Sequence, residues 1–256
     1  MIALEPHLRA RRAAGAKLLT LYVTAGLTGW TDIVRAACAA GADAIEVGIP
    51  FSDPIMDGPV IQAASAQALQ NGATIASILR EVRTLDVDVP LVGMTYYNLL
   101  AHMGDERAAN TLVESGISGM IVPDLPVDES APWTAAADAV GLATVMLAAP
   151  TTTDARLTTI AARTRGFLYA VSLLGVTGER SVLADEAAEM GRRAQAVTDV
   201  PVLLGVGIST GDQAVQACQH ADGVVIGSAL MRRVLEGVGP DGVHGFVTEL
   251  RSALDA

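Results

Sequence analysis

Three carboxylates fall within one short stretch, EVGIPFSDPIMDGP: Glu46, Asp53 and Asp57. Glu46 sits inside an alternating apolar run, AIEVGI (Ala44–Ile49), which reads as a strand. Asp57 follows eleven positions later, in a loop held between prolines. Burying an unpaired charge is expensive, so a glutamate turned inwards must be paired or functional. Two carboxylates in unlike surroundings can divide acid and base roles. Desolvation disfavours the charged form of an inward Glu46, whereas an Asp57 carried on a loop stays ionised. Such a pair suits proton transfers at carbon, nitrogen and oxygen. Plainer readings stand beside this one. Glu46 can be half of a salt bridge, Asp57 can cap a helix starting at Val60, and Asp53, followed by Pro54, has the look of a turn former.

A second constellation is built from glycine. GVGIST (Gly205–Thr210) and IGSALMRR (Ile226–Arg233) are glycine turns feeding helices, with Ser209 or Thr210 as N-cap of the first. Free N–H groups at such helix starts bind anions. GVTG (Gly175–Gly178) has the same character. Each turn alone needs glycine for steric reasons. Together they point to a phosphate site, because barrels often build one from the loops after strands seven and eight. Further polar residues at strand ends are Tyr96, Tyr97, Asn98, Asp124 and Thr177, with Tyr169 inside a strand.

Positioning these residues takes a regular scaffold, and short β-rich runs alternate with longer amphipathic runs along the chain. Strands are expected at 18–24, 44–49, within 89–97, and at 119–124, 142–150, 167–172, 200–207 and 222–227. Helices are expected at 31–40, 60–82, 106–114, 130–140, 154–163, 184–197, 210–220, 228–237 and 242–254. Continuous apolar strands are buried on both faces, as in parallel sheets. Eight βα units in 256 residues imply an α/β protein, a single (β/α)8 TIM barrel over residues 1–256 with a short N-terminal capping helix. A doubly wound open sheet is the alternative, but no GxGxxG follows the first strand.

Composition narrows the class. The chain is 51% hydrophobic and only 4% aromatic, so its core is aliphatic. A net charge of -11 argues against a nucleic-acid surface. Two distant cysteines make no disulfide framework, and four histidines show no metal-binding spacing. The N-terminus does not read as a signal peptide, and no apolar run is long enough for a membrane helix. A cytoplasmic protein is expected.

Five segments, EVGIPFSDPIMDGPVIQ, VPDLPVDES, LYAVSLLGVTG, LLGVGIS and VVIGSAL, come in the order found in the tryptophan synthase α subunit family, and the chain resembles that family from about Leu18 to Leu254. The resemblance implies a (β/α)8 barrel that cleaves indole-3-glycerol phosphate to indole and glyceraldehyde 3-phosphate by a retro-aldol step, late in tryptophan biosynthesis. It implies no metal or organic cofactor in this subunit. Its partner would be a pyridoxal-phosphate-dependent β subunit, in an αββα complex, which receives the indole.

Carried over by motif, Glu46 is the catalytic glutamate and Asp57 the loop aspartate that holds the indole N–H. Tyr169 lies beside the glutamate, and Tyr22 stands where an aromatic lies near the indole. Gly178, Gly207, Gly227 and Ser228 form the phosphate cradle, and Thr177 belongs to a closing loop. Tyr96, at a strand end, joins the substrate-binding set, while Pro50, Asp53 and Pro126 fall on the partner-facing surface. One departure is Leu173, where many members have an arginine; Arg180 is near enough in sequence to substitute.

Other functions compete. A stand-alone lyase releasing free indole would differ in its partner-facing loops, and a mainly regulatory subunit would act by docking alone. A Schiff-base aldolase needs a barrel lysine; the single lysine, Lys17, precedes the first strand.

Overall fold

In the computed structural model, residues 1–171, 180–205 and 207–256 are described, with 180–185 in backbone only. Eight parallel strands close into a barrel in chain order: β1 (Leu18–Thr24), β2 (Ala44–Gly48), β3 (Leu91–Met94), β4 (Ile117–Ile121), β5 (Ala143–Ala148), β6 (Leu168–Val171), β7 (Val202–Gly205) and β8 (Gly223–Ile226). The seam pairs Leu18 with Gly223 and Leu21 with Ile226. The open-sheet alternative is thereby excluded.

Side chains alternate across each strand, and this parity decides what faces inward. Leu18, Ala44, Val92, Ile121, Val145, Phe167, Leu203 and Val225 pack together in one cluster down the barrel axis. Ala44 is inward, so Glu46 and Gly48, two and four residues on, are inward too. The same step from Leu18 takes Tyr22 inside, and from Phe167 it takes Tyr169 inside.

Helix α1 (Leu4–Ala13) plugs the lower end. Leu4 and Leu8, both fully buried, join the inner cluster. A Cβ at Gly119 or Gly166 would collide with Leu4, so these glycines make room for the plug. Below the floor, Asp43 is 2% exposed and accepts hydrogen bonds from Leu19 N (2.8 Å), Arg11 Nε (2.5 Å) and an Arg251 guanidinium nitrogen (3.2 Å). A buried carboxylate is tolerable when its lone pairs are filled in this way.

On the outside run α2 (Trp30–Ala39), α3 (Pro59–Gln70), α4 (Ile75–Val82), α5 (Tyr97–Met103), α6 (Asp105–Ser115), α7 (Ala131–Ala139), α8 (Asp154–Arg163), α9 (Arg180–Gln195), α10 (Gly211–Ala217), α11 (Ser228–Leu235) and α12 (Pro240–Asp255). Two expectations are corrected here. The helix expected over 60–82 is two helices, because Gly72 adopts φ +84° and Thr74 then opens a capping box with Ser77. Left-handed backbone is cheap for glycine alone, and the cap starts a new helix. The α5 turn was not expected. It begins where the Asp124 carboxylate accepts from Tyr97 N at 2.8 Å, so Asp124 works as a remote cap. Tyr97 turns away as well, donating to Asp105 at 3.0 Å.

No helix among the described residues is long and apolar enough to cross a membrane.

Candidate active site

The inward tyrosines, the inward glutamate and the loop after β2 meet at the C-terminal end of the barrel. They line a cavity of about 630 Å³, shared by Tyr22, Glu46, Asp57, Tyr169, Gly207, Gly227 and Ser228 and floored by apolar Met94 and Leu147. Concave, mostly apolar spaces of this size with a few placed polar groups are ordinary small-molecule sites.

Glu46 is paired in register with Tyr22 on β1 and is 1% exposed. Among the described residues no cation pairs with it, and its Oε2 has no hydrogen-bond partner. Burial, with a smaller contribution from the nearby Asp57 charge, pushes its pKa up to about 8. Among the described residues, the salt-bridge reading of Glu46 finds no partner.

Asp57 is carried by the loop between β2 and α3. It does not cap α3: the N-cap is Gly58, with no side-chain cap bond. Its carbonyl instead accepts from Gln62 Nε2 at 2.8 Å, leaving the carboxylate for the cavity. Partial burial raises its pKa, and the Tyr96 hydroxyl pulls the other way. Burial also drives the Tyr22 and Tyr169 hydroxyls upward, with Glu46 adding to both. Both phenols thus stay neutral donors beside the acid.

Two glycines make this possible: Gly48, not singled out in the sequence, and Gly205, read there only as part of a glycine turn. A Cβ at Gly48 would run into the Tyr22 hydroxyl, and one at Gly205 into the Tyr169 ring. Their signal was present, since an isolated glycine inside a strand marks close approach of another group. Gly48→Ala is expected to unseat Tyr22 and destabilise the fold by about 1–3 kcal/mol, the usual penalty of overpacking. Thermal unfolding reads this directly; an unchanged midpoint would mean that Tyr22 does not depend on that space.

On the opposite rim, Gly207 adopts φ +68° and, with Gly227 and Ser228, borders the cavity. Thr210 is the N-cap of α10, its hydroxyl accepting from Gln213 N at 3.4 Å, while Ser209 is engaged by the Gln213 side chain. Helix α11 starts at Ser228, immediately at the cavity edge. Thr177, Gly178 and Leu173 lie outside the described residues, as does the side chain of Arg180.

The remaining expected site residues sit elsewhere. Tyr96 does not line the cavity. It is 4% exposed behind the loop, its hydroxyl accepting from Met56 N at 2.9 Å and its ring stacked on Phe51 with centroids 5.1 Å apart. Pro50 is buried and so is not presented to a partner as expected, whereas Asp53 and Pro126 are exposed.

Fold and cavity together define a (β/α)8-barrel enzyme with one buried and one loop-borne acid at its mouth. A model of the tryptophan synthase alpha chain family matches residues 8–245, and the chain belongs to that family. It is 44% identical to the tryptophan synthase alpha chain of Streptomyces coelicolor, over 96% of this chain and 94% of that one. Identity to the Methanosarcina mazei alpha chain is 47%, over 84% and 80%. A crystal structure of Mycobacterium tuberculosis tryptophan synthase superposes with a TM-score of 0.91 at 36% identity, covering 99% of this chain and 98% of that one. The family comprises the enzyme subunits that cleave indole-3-glycerol phosphate to indole and glyceraldehyde 3-phosphate in tryptophan biosynthesis.

Proposed function

We propose that this chain carries out that cleavage with Glu46 as proton shuttle and Asp57 as the group that holds the indole nitrogen. The observation that supports it best is the glutamate buried to 1% exposure, with an unpartnered oxygen, at the wall of the cavity. A carboxyl group with a pKa near 8 is protonated at neutral pH. It can give its proton to indole C3. The ring then carries positive charge at nitrogen, and the Asp57 carboxylate stabilises that charge through the N–H. Glu46, now ionised, takes the proton from the hydroxyl on C1′. The C3–C1′ bond breaks, its electron pair returns to the ring, and indole and the aldehyde separate. Glu46 ends protonated, as it began.

The residues at the far rim, Gly207, Gly227 and Ser228, would hold the phosphate through backbone N–H groups and the α11 start, with Gly178 completing the cradle. Tyr22 and Tyr169 would bracket the indole beside Glu46, and Thr177 would close over it. In this reading the whole of residues 1–256 acts as one barrel unit, in the cytoplasm. No metal or organic cofactor belongs to this chain, and pyridoxal phosphate resides in a β subunit that joins it as αββα and receives the indole. Asp53 and Pro126 would face that partner.

The pH dependence follows from the direction of the shifts. Glu46 must start protonated, so kcat/KM of the purified chain should fall as pH rises through about 8. Asp57 must be ionised, so activity should also fall in acid, at a pH above the ordinary aspartate range. A rate profile flat from pH 7 to 10 would count against Glu46 as the initial acid. The direct test is indole release from indole-3-glycerol phosphate, with and without a β subunit. No release in either condition would overturn the lyase reading, and full speed alone would favour a stand-alone lyase.

A further inference from the structure

The loop that carries Asp57 has few ties to the barrel. Ile55 and Met56 are 77% and 54% exposed. Among the described residues, the hydrogen bonds that reach residues 51–57 from outside the loop are Gln62 at the Asp57 carbonyl and Tyr96 at Met56 N. Gln62 belongs to α3 and follows the loop closely in sequence, so it ties the loop only to its own continuation. Tyr96 comes from the end of β3 and is fixed from three sides. It is 4% exposed, it stacks on Phe51 (interplanar angle 28°), and its neighbour Thr95 donates to the Ile49 carbonyl at 3.1 Å. Ile49 N in turn donates to the Met94 carbonyl at 2.8 Å. The root of the loop and the root of Tyr96 are therefore one rigid piece.

We infer that Tyr96 is a positioning residue: by clamping the Met56 backbone and flanking Asp57, its hydroxyl sets the aspartate over the cavity at the height where the indole nitrogen arrives. This rests on the role assigned to Asp57 above. The hydroxyl also favours the ionised form of Asp57, against the burial that opposes it. Tyr96 thus serves the reaction from behind the loop rather than by touching substrate, which replaces the substrate-binding role expected from its strand-end place.

The test uses Tyr96→Phe in the full chain, assayed for indole release with the β subunit present. The ring and its stacking on Phe51 are kept; only the hydroxyl is lost. Expected are a fall in kcat of roughly tenfold, the scale of one hydrogen bond involving a charged group, little change in KM, and an acid limb of the rate profile moved to higher pH. A simple packing defect would not move that limb. Phe51→Ala, which keeps the hydroxyl but removes its support, should lower kcat less. In an Asp57→Asn background, Tyr96→Phe should add little, because residues acting as a unit are not additive. Equal losses in both backgrounds, or an unchanged kcat and acid limb while Asp57→Asn is crippled, would overturn the inference. An Asp57→Asn variant with undiminished kcat would instead overturn the Asp57 reading itself, and this inference with it.

Discussion

Glu46→Gln is expected to lower kcat for indole release by roughly 10³-fold, within the usual range for a positioned acid–base group. Glutamine matches the shape but can neither give nor take the proton. Binding of glyceraldehyde 3-phosphate should persist, because the far rim of the cavity is untouched; calorimetry of the product separates the two effects. The same variant carries a second readout with opposite sign. The Glu46 pKa rises on folding from 4.5 to about 8. The folded state therefore binds the proton more tightly than the unfolded chain, and the stability this brings is fully present below pH 4.5. It is lost as pH rises through about 8, by a contribution on the order of 5 kcal/mol. Glutamine has no such linkage. Glu46→Gln should thus be inactive yet more resistant to denaturant at pH 9 than the native chain. If the variant cleaves at even a tenth of the native rate, the proton shuttle lies elsewhere.

Asp57→Asn is expected to cost roughly 10²-fold in kcat and about as much in kcat/KM, the pattern of a contact made chiefly in the transition state. Charge develops at the indole nitrogen only after C3 is protonated, and a neutral amide answers it poorly. The variant should also bring the alkaline limb down, since the Asp57 charge is the second cause of the raised Glu46 pKa. A rise in KM alone, with kcat intact, would show that Asp57 does no more than bind substrate.

Much of the scaffold was legible in the sequence. The first strand runs over Leu18–Thr24 as read, and α8 over Asp154–Arg163, because β-branched runs and a Thr-capped amphipathic stretch carry their own local signals. The glutamate within AIEVGI and the aspartate eleven residues later were legible for the same reason: charge stands out against an apolar pattern. What could not be read was anything decided between distant residues. Whether Glu46 pointed in or out depended on the parity of β2 relative to Ala44, which only barrel closure settles. Tyr96 read as a cavity residue because strand ends converge there, yet the loop from β2 folds over its hydroxyl. The break at Gly72 is different in kind: Asn71-Gly72 is a local turn signal and Thr74 a local cap, and both were passed over inside a run read as one helix.

The paired use of space at Gly48 and Tyr22, and at Gly205 and Tyr169, has a consequence for how such chains can diverge. Each pair spans two neighbouring strands, and neither member can enlarge alone. A lineage that trades glycine for a larger residue must first shrink or remove the facing tyrosine, and the intermediate with both large is the one selection removes. Positions 22 and 48 should therefore drift together through descent, as should 169 and 205. Each couple is inherited as one unit of volume shared by two places in the chain.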